Sequence, residues 1–294
     1  MNIQTISIVV PTIGCVNKCK YCISLMHDNP DIKRVNDVQI EKRLKWAVMN
    51  GVNTCILTGS NGEVLQNKPF LLQLADIFKK MGYPFPNVEL QTSGVLLSEN
   101  LGLIRENIEL LGFSLRVNTI SLSVADIFDD RNNIDIIGTP KKLHFKLESL
   151  INLLKGMGFN IRLSINMSNL YHSKFPREIL ERCKELEADQ ITFRKLFAEN
   201  NNSESSKWVR NNKCDDEFIN EIERCIIGNN TLPGIGTPLY ELPFGAIVYS
   251  VMGMSVVIDK NCMNKSSLQN LKYVILRENG KLYSQWDDEG SLIF

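Results

Sequence analysis

Six short apolar runs, Thr5–Pro11, Asn53–Thr58, Val88–Thr92, Thr119–Val124, Ile161–Asn166 and Gln190–Leu196, alternate with longer helical stretches between residues 5 and 197. Such a rhythm constrains the fold strongly. Parallel strands need a crossover of a dozen or more residues, usually a helix, whereas antiparallel strands can be joined by short turns. The runs are short and largely apolar, as strands buried on both faces should be. The intervening stretches Val38–Asn50, Pro69–Met81, Ser98–Leu111 and Lys142–Lys155 are followed by Gly51, Gly82, Gly112 and the pair Gly156 and Gly158, a sequence sign of left-handed helix C-caps; a fifth helix runs Pro176–Leu186. The expectation is an α/β fold, a partial (βα)6 TIM-like barrel with a C-terminal β-containing extension. An open doubly wound sheet is the alternative.

After Phe197 the pattern changes. Residues 198–213, AENNNSESSKWVRNNK, are rich in Asn and Ser and read as an exposed loop. Asp215–Ile227 is amphipathic with helical spacing, and from Tyr240 onward the chain is rich in β-formers. Asn279-Gly280 between two strand-like arms predicts a hairpin with a type I′ turn. Residues 242–255, apolar with Gly and Pro breaks, read as cap strand and core. The expected division is therefore a barrel core over 1–197 and an extension over 198–294, made of a loop, a short helix and a β-rich cap. No repeat of 20 to 50 residues and no persistent heptads are present.

Lys plus Arg and Asp plus Glu number 33 each, so no global positive field exists to hold a phosphate backbone. The local group Lys141, Lys142, His144 and Lys146 reads as the solvated face of a helix. The first residues lack a cationic secretory pattern, and no segment approaches the roughly 20 apolar residues of a membrane span. Eight cysteines without a secretion signal point to a reducing compartment, the cytoplasm by default, where clustered thiols are more often metal ligands than disulfides.

Three of those thiols fall within eight residues: Cys15, Cys19 and Cys22, directly after the first strand. A structural zinc site wants four protein ligands, usually as two C-x2-C pairs, and no second pair occurs. An iron–sulfur cluster held by three cysteines leaves one iron open to a ligand that is not protein. A zinc knuckle or chance spacing are the bland readings. The C-x3-C-x2-C loop, with aromatic Tyr21 just before the third cysteine, resembles the cluster motif of radical S-adenosylmethionine (SAM) enzymes.

That resemblance implies an oxygen-sensitive 4Fe-4S cluster on Cys15, Cys19 and Cys22 whose open iron is chelated by SAM, which is cleaved reductively to a 5′-deoxyadenosyl radical. It also implies a reducing partner such as flavodoxin or ferredoxin. ThrGlySerAsnGlyGluVal, residues 58–64, resembles the family's GGE-type segment, with Gly62 and Glu63 as the matching pair and Asn61 where a first glycine is common. Tyr21 would pack at the adenine end of SAM. Ser93, between Thr92 and Gly94, and Ser123 resemble the small polar residues that meet the ribose or methionyl part. Arg131 resembles the arginine some members use for the SAM carboxylate, and Asn166 and Arg194, at the carboxyl ends of the fifth and sixth strands, would point into the barrel mouth.

Of the other cysteines, Cys214, Cys225 and Cys262 would be the ligands of any auxiliary cluster, although their wide spacing lacks a C-x2-C pair; Cys55 and Cys183 read as core. Cys262, in the polar context AspLysAsnCysMetAsn, is the candidate donor of a hydrogen atom to a substrate radical. His27, His144 and His172 show no metal-binding spacing. The expected function is radical chemistry on a small molecule, with an activase or a modifier of protein, peptide or tRNA as alternatives. An iron–sulfur electron carrier or sensor is the alternative from another class.

Overall fold

The computed structural model describes residues 2–26, 37–98, 101–228, 233–242, 245–260, 270–271, 273–286 and 289–293, and in it all six expected strands form. They are β1 (Thr5–Val10), β2 (Thr54–Gly59), β3 (Asn87–Thr92), β4 (Thr119–Val124), β5 (Asn160–Met167) and β6 (Gln190–Lys195). The helices between them are α1 (Asp37–Met49), α2 (Lys68–Lys80), α3 (Leu101–Ile108), α4 (Asp130–Ile137), α5 (Leu147–Gly156) and α6 (Pro176–Glu185). The chain then adds α7 (Glu204–Asn212), α8 (Asp216–Ile227), β7 (Gly236–Glu241), β8 (Ile247–Val251), β9 (Met254–Asp259), β10 (Val274–Leu276) and β11 (Leu282–Tyr283).

Chain contacts divide the protein into two compact units, one of residues 1–17, 29–120 and 265–294, the other of 18–28 and 121–264. In the first, β10, β1, β2 and β3 lie side by side in parallel, and β11 closes the edge antiparallel to β10. Ile6, Ile8 and Val10 of β1 are fully buried, as are Val274 and Ile275 of β10. In the second, β5, β6 and β9 are parallel, and β8 and β7 continue the sheet antiparallel. The extension thus contributes a parallel strand to each unit, β9 beside β6 and β10 beside β1.

Local sequence explains the helix ends. Asn67 caps α2 by accepting from the Phe70 N–H at 3.1 Å, with Pro69 in the first turn. Asp129 caps α4 through the Arg131 and Asn132 N–H groups, and Asp215 caps α8 through Phe218.

Four expectations need correction. The Asn/Ser-rich stretch is not simply a loop: Ser203 accepts from the Ser206 N–H at 3.2 Å and starts α7, whose Ser205, Ser206 and Val209 are buried. The Ser-Glu-Ser-Ser run that looks like loop composition is an N-cap followed by a first turn. Gly112 does not end its helix, because a π-helical turn carries the backbone on from Glu109 to Ser114. The basic group after α4 does not lie on one helix face. Lys141 and Lys142 sit in a short 3-10 turn after Pro140, and Lys146 is the N-cap of α5. Finally, the Asn279-Gly280 hairpin does form, but only Gly280 has positive φ, at 74°. A type I′ turn needs both residues there. Instead the Gly280 N–H donates to Arg277 O at 2.8 Å and the Arg277 N–H to Lys281 O at 3.1 Å, a tight turn followed by a left-handed glycine.

Candidate active site

In the first unit the stretch that follows β1 is fastened to the stretch that follows β2. Gln66 provides the clamp: its Oε1 accepts from the N–H groups of Val16 at 3.1 Å and Glu63 at 2.9 Å, and its Nε2 donates to Gly14 O at 3.2 Å. Around the short turn Val64–Gln66 the Gln66 side chain returns to the Glu63 N–H, one half of a capping box, while the Gln66 N–H donates to the Glu63 backbone O at 2.9 Å. Gly62 is required by close approach, since a Cβ there would stand 2.4 Å from Thr12 Oγ1 and 2.7 Å from Gly14 O.

Glu63 itself is buried, and three donors hold its carboxylate. Thr92 Oγ1 donates to Oε2; the Ser93 N–H, at 2.9 Å, and Asn17 Nδ2, at 3.4 Å, donate to Oε1. Asn17 Nδ2 also donates to Ser93 Oγ at 2.8 Å. A carboxylate offers about four acceptor positions, so three donors leave one on Oε2. Thr12 Oγ1, buried beside Gly62, has no hydrogen-bond partner. The arrangement presents a fixed, partly desolvated negative charge beside the start of the cysteine loop, suited to an ammonium group.

In the second unit the remainder of the loop is stitched to the end of α4. The Lys18 N–H donates to Ile137 O and Gly138 O at 3.2 and 3.3 Å, and the Lys20 N–H to Ile136 O at 2.9 Å, so carbonyls left over at a helix C-terminus are used. Gly138 closes α4 with φ of 67°, and a Cβ on it would lie 2.5 Å from Lys18 O. Cys19, Tyr21 and Trp208 pack against Ala125, Ile136 and Ile137, with the Tyr21 and Trp208 ring centroids 6.2 Å apart.

Asn166, buried on β5, gathers two other expected residues. Its Nδ2 lies 3.2 Å from Tyr21 Oη and 3.0 Å from Ser123 Oγ. Burial pushes the Tyr21 hydroxyl far up from its ordinary range; nearby Cys19 adds to this, and a hydrogen bond with Ser123 and the charge of Arg194 oppose it. Arg194 is half-buried at the end of β6, in register with Asn166 on one side and Asp259 on the other. Arg131 stands apart, exposed in the first turn of α4.

Cys15 is exposed and accepts from the Asn17 N–H at 3.4 Å, while Cys19 and Cys22 are partly exposed and linked by a turn, Cys22 N–H to Cys19 O at 3.1 Å. None of the three is in a disulfide and all are at least partly exposed, whereas Cys55, Cys183 and Cys214 are buried. Three reachable soft donors in one loop fit an iron–sulfur cluster better than a hard cation. Among the described residues no three His, Cys, Asp or Glu side chains already converge as a metal cage. For an auxiliary cluster, Cys214 is buried with its thiol on Ser168 O at 2.7 Å and Cys225 is half-buried; Cys262 and His27 lie outside the described residues.

Three contributors escaped sequence reasoning. Asn17 reads as a spacer between cysteines, and nothing in its type announces its bonds. Trp208 was hidden by the loop-like composition around it. Gln66 was findable, because Glu63-x-x-Gln66 has the spacing of a capping box.

Residues 9–174, over half the chain, match the profile of the Radical SAM superfamily. The chain belongs to the radical SAM superfamily. Members of this family use a 4Fe-4S cluster and SAM and are nearly all enzymes. Among solved structures, SuiB of Streptococcus suis bound to precursor peptide SuiA is similar over 97% of this chain and 60% of that one, at 14% identity and a TM-score of 0.58. Native anSMEcpe with bound AdoMet is similar over 98% and 76%, at 14% identity and 0.58. The same protein with AdoMet and the Kp18Cys peptide gives 98% and 76%, at 13% identity and 0.59. This radical SAM chain therefore spans 60% of the length of SuiB and about three quarters of anSMEcpe. At such identities the likeness is one of fold, and the fold is α/β, an open partial barrel of βα units with a β-containing C-terminal extension. No curated protein matches the sequence. Among the described residues no helix is long and apolar enough to cross a membrane.

Proposed function

We propose that this chain is a SAM-cleaving radical enzyme in which Cys15, Cys19 and Cys22 ligate a 4Fe-4S cluster, with residues 1–197 as the catalytic core and 198–294 as the extension that shapes the substrate side. The observation that carries this reading is the set of three at least partly exposed cysteines, none in a disulfide, in the loop after β1 of a radical SAM chain. When bound, the reduced cluster supplies the electron that cleaves SAM to methionine and a 5′-deoxyadenosyl radical.

The protein's own residues then orient and protect. Gly62 lets the backbone come close, and Glu63, fixed by Thr92, Ser93 and Asn17, offers its remaining acceptor position to the SAM ammonium. Asn166 holds Ser123 and Tyr21 together, placing an aromatic face and two small polar groups where the adenosyl part would lie. Arg194, whose charge acts on Tyr21, suits the SAM carboxylate; Arg131, exposed on α4, is the other proposed partner of that group. Cys262 is retained as the proposed hydrogen-atom donor.

The proposed substrate is a small molecule, because the chain carries no C-x2-C pair beyond its cluster loop and no global positive charge. A peptide or protein substrate is the second reading, favoured by the peptides bound in the SuiB and anSMEcpe structures. Anaerobic reconstitution followed by dithionite and SAM tests the core reading: 5′-deoxyadenosine should form, and Cys19→Ala should abolish it together with cluster binding. An intact, reducible cluster that yields no 5′-deoxyadenosine would instead identify an electron carrier or sensor.

A further inference from the structure

The second half of the cysteine loop has an anchor in the extension. Cys22 opens the short 3-10 turn Ile23–Leu25, which ends at Met26, and the Met26 carbonyl accepts from Asn201 Nδ2 at 2.7 Å. Asn201 is held in turn. Its Oδ1 accepts from the N–H and Oγ of Ser203, the N-cap of α7, at 3.1 and 2.8 Å, and its carbonyl accepts from the Arg210 guanidinium at 2.9 Å. The Met26 side chain is buried with Leu196 and Val209, and Tyr21 and Trp208 pack against them. The same two rings pack against Ala125, Ile136 and Ile137, where Cys19 also lies. Tyr21 and Trp208 thus bridge two apolar groups, one beside Cys19 and the other at the end of the turn that Cys22 opens.

The helix α7 lies outside residues 1–197, yet it meets the segment that carries two of the three proposed ligands, Cys19 and Cys22. We propose that α7 is part of the cluster site and that Trp208 is its positioning residue: through Tyr21 it fixes the Cys19–Cys22 segment and keeps water and dioxygen from that side of the cluster. The inference rests on the cluster reading above, and it gives the extension a role besides shaping the substrate side. An apolar shell around a metal centre limits solvent access and lowers the local dielectric, and so sets its potential and its lability. Reduction adds one electron, hence one negative charge, to a cluster whose thiolate ligands are already negative, and water stabilises that charge better than an indole ring does. Trp208 therefore holds the potential down, and removing it raises the potential.

The test compares the full-length wild type with Trp208→Ala, Trp208→Phe and Asn201→Ala after anaerobic reconstitution. Three quantities are read without SAM: iron and sulfide per chain, the midpoint potential from a redox titration followed by electron paramagnetic resonance, and the rate at which the cluster absorbance bleaches in air. Trp208→Ala should bleach about tenfold faster and shift the reduction equilibrium about tenfold toward the reduced form, roughly 59 mV for one electron. Trp208→Phe restores a ring against Tyr21 and should lie within about twofold of wild type in both. Asn201→Ala releases Met26 but leaves the indole, so it should bleach about threefold faster with its potential unchanged. Urea unfolding of the cluster-free chains separates these effects from folding; should Trp208→Ala fail to fold, Trp208→Leu, apolar but without the ring, carries the same prediction. A Trp208→Ala or Trp208→Leu chain that loads a full cluster with wild-type potential and air lifetime overturns the proposal, as does an Asn201→Ala cluster that bleaches no faster than wild type. A folded wild type that takes up no cluster overturns it together with the cluster reading. The predicted shifts in a chain whose wild-type cluster forms no 5′-deoxyadenosine with dithionite and SAM support the role of α7 and remove the SAM-cleaving reading alone.

Discussion

Asn17 donates from one amide nitrogen to acceptors on two other segments, Glu63 at 3.4 Å and Ser93 at 2.8 Å, while sitting two residues from each of two cysteines. It therefore joins the proposed cluster loop to the proposed ammonium site. Asn17→Ala removes both bonds from a buried position, which costs about 1–3 kcal/mol. Asn17→Asp keeps the shape but replaces a donor with a negative charge facing Glu63. Iron content after reconstitution and SAM affinity by equilibrium dialysis should both fall in the alanine variant and fall further in the aspartate one. Should Asp be tolerated better than Ala, packing rather than hydrogen bonding would be the role of this residue. Glu63 and Gly62 were legible because position after the second strand marks them. Asn17 was not, since a buried polar side chain is defined by its partners and those lie 46 and 76 residues away in sequence.

At the scale of elements, α4 matters most, because its last carbonyls receive the Lys18 and Lys20 N–H groups. Gly138 permits this twice over, by its left-handed backbone and by the absence of a Cβ where Lys18 O lies. Gly138→Ala should destabilise the chain by roughly 1–3 kcal/mol, combining the left-handed penalty with a backbone clash. In urea unfolding, the same change at exposed Gly156, a helix residue with open space around it, should be neutral or stabilising. Equal effects at the two sites would mean that the loop does not depend on this anchor. The six strands were readable because apolar runs of strand length between helical patterns admit few other folds. The helix α4 was harder, as DRNNIDII mixes polar and β-branched residues and owes its start to the Asp129 cap and its end to Gly138. The helix α7 was obscured by residues that favour turns when nothing packs on them; here Val209 is buried with Met26 and Leu196.

Across the whole molecule the described cysteines fall into two populations, and burial explains the division. Cys55 and Cys183 lie in the core, where burial drives their thiols well above the usual range, and Cys214 is pushed up to about 12 by burial and then by Asp215. Cys225 is raised as well, again chiefly by burial. A raised pKa lowers the thiolate fraction at a given pH, and the thiolate is the nucleophile. For Cys214 at pH 8 that fraction is roughly one in ten thousand, before limited access slows it further. Iodoacetamide added anaerobically at pH 8 to the folded, cluster-free chain should therefore alkylate Cys15 first, with Cys19 and Cys22 following, while Cys55, Cys183 and Cys214 react only after unfolding. Reconstitution with iron and sulfide should then protect Cys15, Cys19 and Cys22 together, since ligated thiolates are no longer free to react. Peptide mapping resolves each site separately. Protection of only two of the three would contradict a three-cysteine ligand set, and labelling of Cys214 at the rate of Cys15 would contradict the burial that keeps it out of any auxiliary site. The same division accounts for what composition alone could not: eight cysteines suggested metal chemistry, but only a folded core could show which of them are withheld from it.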